Sequence, residues 1–167
     1  NSSFIGTKNM HNIAKGKHPL GLSLGLASNT CGTCVWSQLK GPGPKVLRCT
    51  AANSRRVKGN WRSCTNYEAY LDCLQCAACC GPAYDVVEIS RRDPVRKLQP
   101  KWVTQVDGRY QMKRRSDNHC QALLSNNKCQ IYEHRPSCCR NFEIASDNCL
   151  FARRKLGFTK KWLHHKP

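Results

Sequence analysis

Hydrophobic residues in this chain occur in short runs separated by glycine, proline and charged residues. No apolar run approaches the roughly 18 residues of a membrane span. Residues 35–36 and 46–48 are hydrophobic runs on either side of Gly41-Pro42-Gly43-Pro44, which predicts a hairpin. Residues 84–89 predict a single further strand.

Two more hairpins are predicted in the second half of the chain. Residues 102–106 and 109–112 flank Asp107-Gly108, a dipeptide that favours the tight type I′ turn. A third hairpin, over residues 120–132 and turning at Asn126-Asn127, would bring its two cysteines near each other.

Short helices are predicted where capping patterns occur. Residues 65–68 have the spacing of a capping box and predict a helix running into Asp72. Residues 90–93 have the same spacing and predict a helix over 91–98. A last helix is predicted over 147–157, ended by its glycine.

Cysteine is the most unusual feature of the composition, with thirteen in 167 residues. An odd number cannot be fully paired within one chain, and the adjacent pairs Cys79-Cys80 and Cys138-Cys139 are awkward to bridge to each other. A secreted disulfide scaffold is the alternative. Metal binding is favoured because abundant thiols and basic ends suit a reducing, intracellular setting.

The first four cysteines have the composition of a structural zinc site. Cys31 and Cys34 form a Cys-x-x-Cys unit, and Cys49 and Cys64 follow at equal intervals on the far side of the first predicted hairpin. The arrangement is similar in logic to a zinc ribbon whose second unit is split. The alternative is that some of these cysteines are small buried hydrophobic residues.

Charge indicates a polyanionic partner. The chain carries 28 Lys and Arg against 10 Asp and Glu, for a net charge of +18. Residues 1–30 and 150–167 contain no acid at all. Such ends suit arms along nucleic acid, and solvated tails are the alternative. The predicted RNA contacts are Lys40, Lys45, Arg48, Arg55, Arg56, Lys58, Arg62, Arg153, Arg154, Lys155, Lys160, Lys161 and Trp162.

The densest cysteine pattern resembles a known family. It consists of the run Cys73-x-x-Cys76-x-x-Cys79-Cys80, then Cys120, then Cys129-Gln130-Ile131-Tyr132-Glu133-His134-Arg135-Pro136 with Cys139, and finally Cys149. This pattern is similar to the YkgJ-type cysteine-cluster family, a zinc- or iron-chelating domain, over residues 73–149. Cys138 is extra to it. The resemblance implies the ligands Cys73, Cys76, Cys79, Cys80, Cys120, Cys129, Cys139 and Cys149.

Eight implied thiolates allow two four-cysteine sites or one binuclear cluster with bridging sulfurs. All-sulfur ligation suits zinc or an iron–sulfur cluster. We expect zinc at Cys31, Cys34, Cys49 and Cys64, and we leave the larger set open between the two. Arg135 and Arg140 are predicted to offset thiolate charge, with ordinary surface ion pairs as the alternative.

The predicted fold is a small, irregular α+β protein in which short hairpins and helices are organised around cysteine-ligated metal sites, with extended basic termini. Four segments are expected: a basic N-terminal arm (1–30), a zinc-ribbon-like four-cysteine module (31–72), a cysteine-cluster metal-binding domain (73–149), and a basic C-terminal helix and tail (150–167).

The function predicted from these features is structural metal binding and RNA binding, in a large ribonucleoprotein such as a mitochondrial ribosome. Expected partners are rRNA and neighbouring proteins, with no membrane and no small-molecule substrate. A reducing compartment is expected, the mitochondrial matrix first, then plastid or bacterial cytosol.

The alternative function is a zinc- or iron-cluster protein in metal handling, redox or maturation. An enzyme is not expected, because no phosphate-binding glycine loop, nucleophile elbow or His-Glu-x-x-His motif occurs. His119 adjoins Cys120, but a ligand role explains this cysteine better than a nucleophile role does.

Overall fold

The computed structural model describes residues 16–159, and the predicted RNA contacts Lys160, Lys161 and Trp162 lie outside them. Few helices and short antiparallel hairpins make up these residues, as expected of a small α+β protein. No described helix has the length and apolarity that a bilayer crossing requires. The strands are β1 (Ser37–Lys40), β2 (Val46–Cys49), β3 (Arg55–Arg56), β4 (Val103–Val106) and β5 (Arg109–Met112). The α-helices are α1 (Cys73–Cys76), α2 (Val95–Leu98), α3 (Ser137–Arg140) and α4 (Asp147–Lys155).

The first predicted hairpin is confirmed. Strands β1 and β2 pair antiparallel, with Ser37 opposite Cys49, and the glycine–proline segment closes the turn between them. Gly41 has a φ of 140°, which a residue with a side chain rarely adopts. Strand β3 adds to the other edge of β2, so the sheet has the order β1-β2-β3.

The second predicted hairpin is also confirmed. Strands β4 and β5 pair antiparallel around Asp107 and Gly108, whose φ values of 48° and 75° are those of a type I′ turn. The predicted strand over residues 84–89 is wrong in its extent. Glu88 forms an isolated bridge to Gln111 of β5, and its neighbours add two backbone hydrogen bonds without a regular strand.

The third predicted hairpin forms only as a turn. Leu124 N–H donates to the carbonyl of Lys128 at 2.9 Å, and Leu123 bridges Cys129, but no regular strands flank them. Asn127 has a φ of 61°, so the turn lies where the sequence predicts it. Each side contributes too few paired residues to form a strand.

One predicted helix is absent and one is shorter than predicted. Residues 65–72 form turns, because the Glu68 carboxylate accepts a hydrogen bond from Trp36 Nε1 at 2.7 Å instead of capping a helix. The helix predicted over 91–98 begins only at Val95. Its capping pair does form, with Ser90 N–H donating to the Asp93 carboxylate at 2.7 Å, but within a turn that precedes the helix.

Helix α4 is confirmed, and it packs against both halves of the described chain. Ser146 Oγ accepts from the N–H of Cys149 at the start of the helix, and Gly157, with a φ of 79°, follows its end. Leu150 is 1% exposed and belongs to the core around Trp36. Ala152 packs instead with two alanines in and just after the cysteine run of residues 73–80.

Polar contacts reinforce the packing of α4 on the first half. Arg153 forms a salt bridge with Glu68 at 2.5 Å, and only 5% of its side chain is exposed. Lys40 of β1 forms a salt bridge with Asp147 in the first turn of the helix. Because Cys149 also lies on this helix, α4 links the four-cysteine module of the first half to the cysteine-rich second half.

The described half of the predicted N-terminal arm lies against residues 62–64, which follow the first sheet. Leu24 bridges Cys64, Thr30 bridges Arg62, and Gly25 N–H donates to the carbonyl of Ser63 at 2.8 Å. Residues 16–30 are therefore packed along the four-cysteine module, while residues 1–15 lie outside the described part. The division of the chain into four segments stays a prediction.

Asp93 is the polar centre of the second half. It is 3% exposed and accepts hydrogen bonds from the N–H groups of Ser90 and Ser137 and from Ser137 Oγ. Arg140 also contacts its carboxylate, at 3.5 Å. Burial alone would raise the pKa of Asp93, but these hydrogen bonds outweigh burial and lower the pKa below its ordinary value.

We expect Asp93→Asn to lower the free energy of unfolding by about 1–3 kcal/mol at neutral pH, because an amide leaves buried donors without a partner. Folding lowers the pKa of Asp93, so its contribution is complete above its ordinary pKa and is lost as the pH falls through the folded value. Urea unfolding across acidic pH measures both effects. Asp107→Asn in the exposed turn is the matched control, and equal loss in both variants would contradict this role.

Candidate metal centre

All thirteen cysteines lie in the described part of the chain, and all are free thiols. Most have a raised pKa, because burial and neighbouring thiolates both disfavour the charged form. Mutual repulsion of this kind identifies which sulfurs lie near one another. Three groups emerge, and we number them in chain order.

Group 1 consists of the four cysteines of the predicted zinc site. Burial, the larger effect, and the charges of neighbouring group 1 thiolates raise the pKa of Cys31 to about 12 and that of Cys49 to about 11. The hairpin positions these sulfurs, since Cys49 ends β2 and Cys34 lies just before β1. The members of group 1 are Cys31, Cys34, Cys49 and Cys64.

His18 is a further member of this neighbourhood that sequence reasoning missed. It is 2% exposed, and its Nε2 lies 3.2 Å from Cys31 Sγ. Its Nδ1 accepts a hydrogen bond from the N–H of Leu20 at 3.1 Å, so the ring proton belongs on Nε2. His18 is therefore placed to donate to the Cys31 sulfur and not to ligate an ion. Its position within residues 1–30, far from any cysteine in sequence, gave no signal of this contact.

Group 2 gathers sulfurs from two distant segments. Cys73 and Cys76 begin and end α1, where Asp72 caps the helix by accepting from Leu74 N–H. Burial raises the pKa of Cys73, and the charges of the three other thiolates raise it further. The group comprises Cys73, Cys76, Cys79 and Cys149.

Group 3 surrounds the second cysteine of the adjacent pair in that run. The pKa of Cys80 is raised by its hydrogen bond to Cys79, by burial, and by the charges of Cys120 and Cys139. Burial raises the pKa of Cys129, and the charge of Cys120 raises it further, which places Cys129 in the same group. The members of group 3 are Cys80, Cys120, Cys129 and Cys139.

Cys79 connects groups 2 and 3. Its charge acts on Cys73 in group 2 and on Cys139 in group 3. A hydrogen bond from Cys80 lowers the pKa of Cys79 to about 7. Both arrangements that the sequence allows, two four-cysteine sites or one cluster with a shared sulfur, are compatible with this position.

The cysteines of each group lie near one another, but their sulfurs do not form a complete metal coordination sphere. Among residues 16–159, no set of three or more Cys, His, Asp or Glu side chains is arranged so that it could hold a metal ion as it stands. Neutral thiols have no reason to approach to ligand distances, since a metal ion is what binds thiolates together. The sulfurs of each group would therefore have to move closer on binding.

The guanidinium groups of two arginines lie near the thiols, as suits a site that holds negative charge. Arg114 donates to the carbonyls of Cys80 and Gly81 at 3.2 Å, while its Nε and Nη2 are buried without a hydrogen-bond partner among the described residues. Its charge adds to the hydrogen bond from Cys80 in lowering the pKa of Cys79, and the charge of Arg153 offsets part of the rise that burial causes in the pKa of Cys149. Four-thiolate groups with such neighbours suit zinc or iron.

The two arginines that the sequence assigned to this task are placed differently. Arg135 lies over the ring of Tyr132 at 3.6 Å, and its charge offsets part of the rise that burial causes in the pKa of Cys129. Arg140 pairs with Asp93 instead of with a cysteine. Neither Arg114 nor Arg153 belongs to the family pattern quoted above, so the sequence gave no reason to choose them.

The predicted RNA contacts in the described part differ in availability. Arg153 is 4% exposed and held by Glu68, which leaves it little access to a phosphate. Lys40 and Arg48 are partly buried, by contacts to Asp147 and to the carbonyl of Ser54. Exposed positions are Lys45, Arg55, Arg56, Lys58, Arg62, Arg154 and Lys155.

Comparison with known families identifies the domain that contains groups 2 and 3. A model of the CxxCxxCC family, described as a "putative zinc- or iron-chelating domain", matches residues 72–161, more than half of the chain. The chain belongs to the CxxCxxCC family. This confirms the resemblance to YkgJ-type proteins. No curated protein and no solved structure matches the chain.

Within the CxxCxxCC domain, the family supports a metal cofactor in general. Group 1 lies before residue 72, outside the matched segment. Its zinc site therefore depends on the spacing and the clustering of its four sulfurs alone.

Removal of a group 2 sulfur tests the grouping. We expect Cys149→Ser to lower the bound zinc or iron by about one ion per chain, because a hydroxyl is a poor replacement for a thiolate. Elemental analysis of the purified protein measures this. Cys138→Ser is the matched control, since Cys138 belongs to no group and its contact to the Glu88 carbonyl accepts a hydroxyl donor equally well. Equal metal loss in both variants would contradict the grouping.

The hydrogen bond of His18 predicts an effect on group 1 alone. We expect His18→Ala to weaken zinc retention in group 1 by about 10- to 100-fold, because the Cys31 thiolate loses its donor. Competition with a chromogenic chelator measures the affinity. His18→Ala should be compared with the unaltered His18 in a background that carries Cys149→Ser and Cys129→Ser, which removes one sulfur from group 2 and one from group 3 and leaves group 1 complete. Unchanged zinc release would show that His18 only packs against Trp61.

Proposed function

We propose that this protein is a structural metal-binding protein that uses ions in its cysteine groups to hold its fold and binds RNA with its basic surface. Membership of a zinc- or iron-chelating family supports the first part. The net charge of +18 supports the second.

The observation that carries the proposal is the convergence of thiols from distant parts of the chain. Group 2 joins α1 to α4 across more than seventy residues, and the apolar core of the described chain is divided into small clusters. A metal ion bound only by the folded chain adds its binding free energy to folding. Cysteines of all three groups lie in or against these small clusters, where a bound ion would add to limited apolar packing.

The chemistry of the sulfurs suggests the ions. Four thiols of group 1 around a hairpin suit a closed structural zinc site. Groups 2 and 3 would hold zinc or an iron–sulfur cluster, with Cys79 available to either group. The ions would hold loops together, and the chain's own arginines would balance the remaining thiolate charge.

Basic side chains supply the proposed RNA contacts. Lys45, Arg56, Lys58 and Arg62 are exposed on or beside the first sheet, and the matching acids are scarce. Phosphate neutralisation by such residues gives affinity without base recognition. The proposed partner is rRNA within a large complex, in a reducing compartment such as the mitochondrial matrix.

RNA binding should show the signature of phosphate neutralisation. We expect the purified, metal-loaded chain to bind a fluorescein-labelled RNA hairpin, with the logarithm of affinity falling linearly as the logarithm of salt rises. Fluorescence anisotropy across a salt series measures the slope. A basic protein of similar size and charge, such as lysozyme, sets the non-specific level, and binding no stronger than that level would contradict the proposal.

A redox or metal-handling role is the second candidate. Cys73 of group 2 and Cys138, which belongs to no group, are exposed thiols that a transferred ion or an oxidant could reach. A hydrogen bond from Cys139 lowers the pKa of Cys138 to about 7. A visible absorbance band together with turnover by the purified protein would favour this role over the structural one.

A further inference from the structure

An open groove runs between residues 88–97 and the β4–β5 hairpin. Its larger part has a volume of about 870 Å³ and its smaller part about 480 Å³. The two parts adjoin, because they share four lining residues. These shared residues are Arg91, Arg96, Gln105 and Tyr110.

The groove is strongly cationic along its length. Arg91 and Arg96 lie at its centre, Lys97 at one end and Arg109 at the other. Its one carboxylate, Glu88, contacts Arg109 at 3.4 Å, but both side chains are largely exposed. An exposed pair of this kind is worth little and is easily exchanged for another anion.

Arg96 is fixed in place before any ligand arrives. Its guanidinium lies 3.8 Å from the centre of the Tyr110 ring, and its Nη1 donates to the carbonyl of Arg91 at 3.2 Å. The backbone beneath is fixed too, since Ile89 N–H donates to the carbonyl of Tyr110 at 2.8 Å. A pre-ordered guanidinium loses less entropy when it binds a phosphate.

We propose that this groove binds the phosphodiester backbone of a single-stranded nucleic acid, RNA in the setting of the proposed function on which this inference rests. Cations in series along an open groove match an anion that repeats along a chain. The Arg96–Tyr110 stack presents a guanidinium plane on which a base can lie. Gln105 and Thr104 add neutral hydrogen-bonding groups that suit sugar and base edges.

A charge-matched pair of variants tests the groove. The groove variant carries Arg91→Ala, Lys97→Ala and Arg109→Ala, and the control carries Arg92→Ala, Lys101→Ala and Lys128→Ala. All six residues are exposed, and each variant loses the same charge. The probes are a fluorescein-labelled oligouridylate, a single-stranded DNA of equal length, and unlabelled polyglutamate as competitor, each with the full metal-loaded chain.

We expect the groove variant to lose about 10- to 100-fold in oligouridylate affinity near 0.1 M salt, and its salt slope to fall by about 2, while the control changes little. A parallel loss on DNA supports a phosphodiester site, with tighter RNA binding identifying RNA as its ligand. Far-UV circular dichroism checks the fold. If the triple variant unfolds, the single Arg91→Gln variant replaces it, with a several-fold loss expected.

Each contrary result overturns a different statement. If the chain binds RNA and both variants bind equally, the groove is not the site, although the proposed RNA-binding function stands. If polyglutamate displaces the oligouridylate as well as RNA does, the phosphodiester assignment is wrong. If the unaltered chain binds no nucleic acid, both the groove and the RNA-binding function fail.

Discussion

A buried thiol can carry a negative charge only where a positive charge or hydrogen-bond donors stabilise it, and this constraint organises the described structure. Burial and mutual repulsion keep Cys31 and Cys49 neutral at physiological pH, with pKa values of about 12 and about 11. A metal ion supplies the missing charge at the cost of releasing protons. The buried guanidiniums of Arg114 and Arg153 supply part of it from within the chain. Bound metal ions and these arginines would therefore together offset the negative charge of the cysteine groups.

Helix α4 shows how this balance is linked to the fold. On one face Leu150 packs in the core around Trp36, and on another Ala152 packs beside the cysteine-rich run. Arg153 pairs with Glu68 of the first half and also acts on Cys149 of group 2. A change in group 2 would therefore reach the first sheet through one short helix. The family match ends just beyond this helix, so the first half depends on an element that the domain provides.

Elements that depend on local chemistry could be predicted from the sequence, and elements that depend on tertiary contacts could not. Asp107-Gly108 requires positive φ values, so its hairpin follows from two residues. The helix at residues 65–72 fails because Glu68 is taken by Trp36 and Arg153, which are distant in sequence. Isolated short helices are marginal, so one lost cap is enough to prevent them.

The same distinction applies to the candidate site. The approach of Cys34 to Cys49 follows from spacing, because a hairpin brings its two ends together, whereas Cys64 lies beyond the hairpin and bridges Leu24. Cys149 could be assigned only by the family pattern. His18 could be assigned neither from spacing nor from the family pattern, since its contact to Cys31 depends on a loop that folds back along residues 62–64. Arg114 was hidden among several basic residues, and only its burial distinguishes it.

The Lys and Arg side chains of this protein lie in two environments, beside the thiols and on the surface. Each environment accounts for part of the large positive charge. A small part lies beside thiols, where Arg153 is buried and the partly buried Arg114 donates to the carbonyls of Cys80 and Gly81. Most of it remains on the surface, where the few carboxylates are insufficient to pair it. When the thiols bind divalent ions as thiolates, they contribute negative charge that those ions and the inner arginines offset locally. The surface excess is then unaffected by metal loading, and it remains available to neutralise a polyanion.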